Sequence, residues 1–245
     1  MDALALLRLQ MEWGVDEALE EAPIDRMRPA PMVARRPAVA AVVAAPPPGP
    51  SAEAADTLEA LRAAMAVFDG CALRTTASNL VFADGNPNAG LLIVGEAPSA
   101  AEDRSGRAFD GPAGAYLDRM LASIGLDRGA ALLTPLLPWR PPGGRPPSTA
   151  EVAACLPFLY RLIVLTEPRR MVLLGTLAQR TLLGAAPRRR TPDWLTATVP
   201  GRPDPLPALV LPSPEMLLGK PAGRREAWAA LRLLQRTIDN ETVKI

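Results

Sequence analysis

The chain has 245 residues, 49% of them apolar and only 4% aromatic, with 27 basic and 26 acidic side chains for a net charge of +1. That length suits one good-sized domain, or one domain with an appendage, and the charge balance gives no global signal for nucleic acid, although local patches matter more than the sum. Histidine is absent, which excludes an imidazole base and any histidine metal site, and Cys71 and Cys155 are too few for a cysteine-only zinc or iron–sulfur site.

Leu4, Leu7, Met11, Val15 and Leu19 recur at helical spacing, so residues 1–25 read as an amphipathic helix that covers an apolar patch. Residues 26–52 are rich in Pro and Ala and read as an extended, poorly ordered linker. The folded domain is expected over 53–240. It opens with a helix from Glu53 to Val67 capped by Ser51, and turns follow at Asp69-Gly70 and Asp84 to Pro87. Leu91 to Val94 reads as a buried parallel strand, Val94 to Gly114 as a polar glycine-rich loop, and Ala113 to Ile124 as a helix. A strand near Ala131 to Leu133, a proline-rich loop and a helix from Ser148 to Leu165 come next. Ser148 and Glu151 have the spacing of a capping box. Strand Arg170 to Leu174, helix Thr176 to Leu183, strand Ala208 to Leu211 and helix Gly223 to Ile238 complete the pattern. Ala185 to Pro207 reads as a surface loop with a weak strand. Strand–helix alternation of this kind makes an α/β protein with a parallel sheet between helical layers.

The start of the chain lacks the basic, apolar signature of a secretory signal, and no window reads as apolar for long enough to cross a membrane. The expectation is a soluble, cytoplasmic protein with two reduced thiols.

Four blocks, in order, carry a resemblance. They are Cys71-Ala72-Leu73 with Asn79 to Pro87; Gly95-Glu96-Ala97-Pro98 with Glu102-Asp103, Gly106-Arg107, Phe109 and Gly111 to Gly114; Trp139 to Gly143 with Ala153 to Phe158; and Leu211-Pro212-Ser213-Pro214 with Leu217-Leu218 and Arg225 to Trp228. Together, over residues 58–235, they resemble the uracil-DNA glycosylase superfamily, in particular the iron–sulfur branch of bacteria and archaea called family four. The resemblance implies a three-layer α/β/α sandwich around a mostly parallel four-stranded sheet. It implies a monomeric base-excision repair enzyme that hydrolyses the N-glycosidic bond of a base flipped out of duplex DNA.

By resemblance, Glu96 is the catalytic residue and Gly95, Ala97 and Phe109 bind the base. Ser213, Arg107, Arg140 and Lys220 contact DNA. Phe109 either stacks on the base or plugs the loop onto the core. Arg104 and Arg107 either meet phosphate or pair with Glu102 and Asp103, which brace the loop. Two pocket positions depart from the family. Leu211 stands where the family has a histidine that stabilises the leaving base, and Pro135, after Thr134, stands where it has an asparagine that reads uracil. Neither side chain donates a hydrogen bond, so activity is expected to be weak or altered. The family's four cluster ligands fall on Phe68, Cys71, Trp139 and Cys155. The resemblance therefore implies no resident metal and no cofactor, with apolar packing in place of a 4Fe–4S cluster. The alternative is an inactive module that binds DNA through Arg140, Arg145, Arg188 to Arg190, Lys220, Arg224 and Arg225, with Met216, Leu217 and Leu218 as a wedge.

Overall fold

The computed structural model describes residues 52–184 and 192–242. The helix expected over 1–25, the linker over 26–52 apart from Ala52, and Arg188 to Arg190 lie outside the described residues. A 3-10 turn at Ala52–Ala54 precedes α1, Leu58–Val67. Thr57 caps α1 by accepting the Ala60 N–H at 3.1 Å, so the helix starts later than the expected Glu53; Ser51 lies outside the described residues. Next come α2 (Leu73–Thr76), β1 (Asp84–Gly85), β2 (Leu91–Gly95), α3 (Ala100–Ser105), α4 (Pro112–Ala122) and β3 (Leu132–Pro135). Helix α5 spans Thr149–Thr166, with β4 (Arg170–Leu174), α6 (Thr176–Leu183), β5 (Leu195–Ala197), β6 (Leu206–Leu211), α7 (Pro214–Gly219) and α8 (Arg224–Thr242) after it.

The six strands form one sheet in the order β1-β3-β2-β4-β6-β5. Its centre is the expected set of four parallel strands, with Leu92 opposite Leu132, Leu91 opposite Arg170, and Leu174 opposite Leu211. The sheet is nevertheless larger than the four strands expected. Asp84-Gly85, read as a turn, pairs antiparallel with β3, and β5 pairs antiparallel with β6.

Side chains alternate across a strand, and here the alternation builds two apolar layers. Leu92, Val94, Leu132, Met171, Leu173 and Ala208 face one layer, filled by Leu61 and Met65 of α1, Phe158 and Leu162 of α5, and Ala178 and Leu182 of α6. Leu91, Ile93, Leu133, Val172, Leu209 and Leu211 face the other, filled by Leu117 and Leu121 of α4, Leu217 of α7, and Leu231 and Leu234 of α8. Strands buried on both faces need continuous apolar runs, as β2 and β4 have. The three-layer sandwich follows directly.

Helix α5 starts on the expected capping box: Ser148 accepts the Glu151 N–H, and Glu151 accepts the Ser148 N–H at 2.7 Å. Its mean hydropathy of 1.5 over 18 residues makes it long and apolar enough to cross a membrane by composition, contrary to the sequence reading. In the fold, Cys155, Phe158, Leu159, Leu162 and Ile163 of this helix are buried in the first apolar layer.

Candidate active site

β2 and β4 are neighbours, yet the helices that follow them pack on opposite layers, α4 in the second and α6 in the first. Such a switch point at the carboxyl ends of strands is where open α/β sheets hold ligands. Backbone bonds fix the strand ends here. The Leu136 N–H donates to the carbonyls of Gly95 at 3.1 Å and Glu96 at 2.9 Å, and the Gly175 N–H donates to the Leu211 carbonyl at 2.8 Å.

Glu96 follows β2 directly. Its Oε1 accepts the Leu177 N–H at 2.7 Å, so the carboxylate sits on the first turn of α6, where free N–H groups and the helix dipole favour negative charge. The acid thus joins the ends of two central strands.

The run after Glu96 is not all loop. Ser99 and Glu102 form a second capping box and start α3, which the sequence reading missed although the Ser-x-x-Glu spacing was present. Glu102 is buried and uses both oxygens. Oε2 accepts the Ser99 N–H at 2.8 Å, and Oε1 accepts the Phe109 N–H at 2.6 Å. Asp103, also buried, accepts the Ser78 N–H at 2.9 Å. Both acids brace the loop, as expected.

Phe109 has φ +54°, a left-handed backbone that costs a bulky residue about 1–3 kcal/mol. Its ring lies against Gly95, where a Cβ would stand 2.7 Å from Cζ, and a Cβ on Gly114 would collide with its carbonyl oxygen. That oxygen accepts from Nη2 of Arg128 at 2.6 Å. Arg128 further bonds Asp118 through Nε at 2.8 Å and Asp84 through Nη1 at 2.7 Å. Burial works against its charge, but these two carboxylates hold its pKa above the ordinary value.

The resulting cavity is lined by Gly95, Glu96, Ala97, Phe109 and Ser213, five of the sequence-predicted site residues, and also by Glu102, Pro135, Leu174 and Glu215. Its volume is about 20 Å³, room for a water and not for a base. A larger groove of about 580 Å³ shares Glu96 and Ser213 with it and runs past Thr176, Gln179, Asp193, Leu211 and Glu226. That volume is in the range of small-ligand sites. Ser213 is held as the cap of α7, accepting the Met216 N–H at 3.3 Å. Glu215 was not foreseen. Desolvation, then the charges of Glu102 and Glu96, push its carboxyl above the usual range.

Other predicted residues fall elsewhere. Arg107 is exposed and pairs with Asp84 at 3.4 Å, not with Glu102 or Asp103, and Arg104 is exposed. Neither lines the cavity or the groove. Nor do Arg140, half-buried with its guanidinium near Gly144, or Lys220, exposed after α7. Arg145 forms a two-pronged pair with Glu151 at 2.9 and 2.5 Å and is already engaged. Of the proposed wedge, Met216 and Leu218 are exposed, but Leu217 belongs to the core. Arg128, the best-connected cation of the loop, carried no local sequence signal, because its partners lie at positions 84, 108, 109 and 118.

Phe68, Cys71, Trp139 and Cys155 meet in the first apolar layer. Phe68 packs edge-on against Phe158 with ring centroids 4.9 Å apart, and Trp139 is buried. Interaction with Cys155 brings the Cys71 thiol down to about 7, and interaction with Cys71 together with burial pushes the Cys155 thiol up. Two sulfurs and two aromatic rings do not fit a cluster that needs four thiolates, and among the described residues no group of three or more His, Cys, Asp or Glu could hold a metal ion.

The type-4 uracil-DNA glycosylase of Pyrobaculum aerophilum is 40% identical to this chain over 121 residues, 49% of this chain and 62% of that protein. The type-4 enzyme of Sulfurisphaera tokodaii is 38% identical over 121 residues, covering 49% and 55%. That of Archaeoglobus fulgidus is 43% identical over 108 residues, covering 44% and 54%. The chain thus spans between about half and two thirds of the length of these relatives. The family model described as the uracil DNA glycosylase superfamily matches residues 82–232, a stretch that runs from β1 into α8 and holds the whole cavity, and the chain therefore belongs to that superfamily.

Proposed function

We propose that this protein is a DNA base-excision glycosylase that hydrolyses the N-glycosidic bond of a flipped-out base, with weak or altered activity on uracil. The observation that carries the reading is the convergence of Glu96, Phe109 and Ser213 on one cavity at the β2–β4 switch point. In such a reaction water adds to the sugar C1′ through an oxocarbenium-like state and the base leaves as an anion. Glu96, anchored on α6, orients that water and offsets the positive charge on the sugar. Phe109 stacks on the base, and Ser213, whose hydroxyl accepts the Met216 N–H of α7, lines the groove beside it. The cavity must open for a base to enter.

Leu211 and Pro135 support reduced uracil excision, since neither side chain donates a hydrogen bond to the base or its leaving anion. The loss of one such donor costs about a hundred- to a thousandfold in rate. Leu211→His with Pro135→Asn is expected to raise uracil excision. No 4Fe–4S cluster is part of this reading, because Phe68 and Trp139, at two of the positions where the resemblance puts cluster ligands, carry aromatic rings packed in the first layer. The partner is duplex DNA met by a monomer, with Arg107, Arg140 and Lys220 toward the phosphates, and the working compartment is the cytoplasm.

The test is incubation of the purified chain with duplexes carrying uracil, hypoxanthine or other altered bases, followed by detection of abasic sites. Cleavage that disappears in Glu96→Ala and Phe109→Ala supports the enzyme. The small volume of the cavity favours a second reading, a DNA-binding module without catalysis. Salt-sensitive binding with no abasic product on any duplex selects that reading.

A further inference from the structure

We propose that Arg128 is the positioning residue for Phe109: with Glu102 it clamps both backbone polar groups of that residue and so fixes the ring as the stacking wall of the cavity. The assignment rests on the glycosylase reading for what the ring stacks upon, but the clamp itself stands on geometry.

Phe109 takes its left-handed backbone outside any helix or strand. A backbone in that region persists only where its surroundings hold it. Here its N–H donates to Glu102 at 2.6 Å and its C=O accepts from Arg128 at 2.6 Å. Both bonds have a charged partner and are correspondingly strong. Each partner is in turn anchored. Glu102 is tied to Ser99 at the start of α3. Arg128 is tied to Asp118 of α4 and Asp84 of β1, and its Nη1 also meets the Ala108 carbonyl at 3.2 Å. The guanidinium therefore joins a sheet edge, a helix and the turn between them. It spends donors from three nitrogens in a planar fork, a geometry that a single ammonium cannot reproduce. Arg128 touches no residue expected to meet the base except through the Phe109 backbone.

Two measurements on the full chain test this. Phe109 is one of four phenylalanines, so labelling with 4-fluorophenylalanine gives few fluorine resonances, and the Phe109 signal is assigned by its loss in Phe109→Leu. In Arg128→Lys that resonance should broaden or split while those of Phe68 and Phe158 keep their positions. Glu102→Gln should produce the same change from the other side of the clamp, and it carries the test should Arg128→Lys fold poorly. The second readout is affinity for a duplex with a uracil–guanine mismatch relative to an undamaged duplex. Arg128→Lys should reduce the preference about tenfold, within the range set by loss of one aromatic stack, and should reduce it no further in a Phe109→Ala background. A sharp, unshifted Phe109 resonance in both clamp variants overturns the clamp. Additive losses in the double variant overturn action through Phe109. A wild-type chain with no preference for the mismatch refutes uracil as the stacked base, and the fluorine spectra still decide the clamp.

Discussion

Trp139→Ala probes the proposal that apolar packing, with no metal cluster, holds the corner formed by Phe68, Cys71, Trp139 and Cys155. Trp139 is 3% exposed and belongs to the same layer as Phe68, Cys71 and Cys155. Truncating a buried tryptophan costs about 3–5 kcal/mol, the transfer of the ring plus the void it leaves. Single domains are stable by only about 5–15 kcal/mol, so this is a large share. For a domain of this size each kcal/mol moves the melting temperature by about 2–4 °C, which gives a drop of about 6–20 °C. Thermal unfolding followed by circular dichroism, on wild type and variant, before and after dialysis against an iron chelator, measures it. Chelation should leave the wild-type curve unmoved. A variant that melts within a degree or two of wild type, or a wild type that loses stability when iron is stripped, would refute the reasoning.

Three other predictions concern charge and close approach. The Arg145 guanidinium holds the Glu151 carboxyl down to about 2. A carboxyl whose folded pKa is depressed adds stability above its ordinary value near 4.3, and that stability is lost as pH falls toward 2. Glu151→Gln should therefore destabilise at pH 7 by about 1 kcal/mol, the size of a lost cap or exposed pair. Urea unfolding should show the gap closing on acidification, and parallel wild-type and variant profiles would contradict it. Glu215 has the opposite sign, since its raised carboxyl makes the folded state bind more protons than the unfolded chain just above the ordinary value. Glu215→Gln should stabilise the protein at pH 7 and lose that advantage below about pH 4, and a destabilised variant at pH 7 would count against the assignment. Gly114→Ala puts a methyl onto the Phe109 carbonyl oxygen, so it should cost about 1–3 kcal/mol through overpacking. A denaturation midpoint equal to wild type would show that the turn yields freely.

Elements with strong local signals were legible in the sequence. β4 and α6 fall on the expected residues, because an unbroken apolar run and the Gly175-Thr176 break mark them sharply. The Ser148–Glu151 box starts α5 as read. The same box at Ser99–Glu102 starts α3, but the glycines at 95, 106 and 111 give the whole run the look of a loop. β1 has two residues and becomes a strand only by pairing with β3, which no local window contains. At the candidate site, resemblance to known motifs points to Glu96, Phe109 and Ser213, which line one cavity. It does not point to Arg128, since an arginine that joins four distant positions looks like any solvated cation until the fold closes.

The alternation of side chains across the strands has a consequence for how this protein can change. Cys71, Trp139 and Cys155 lie in one layer, while Phe109 and Leu211 lie in the other. The sheet between them acts as a bulkhead, its strands locked by their own ladder. Substitutions at Trp139 and at Leu211, which lie in different layers, should therefore add independently, whereas Glu96 and Pro135 sit at the strand ends where the layers meet. A chain built this way can repack the corner around Trp139 without disturbing the packing around Leu211, and neither change has to wait for its counterpart.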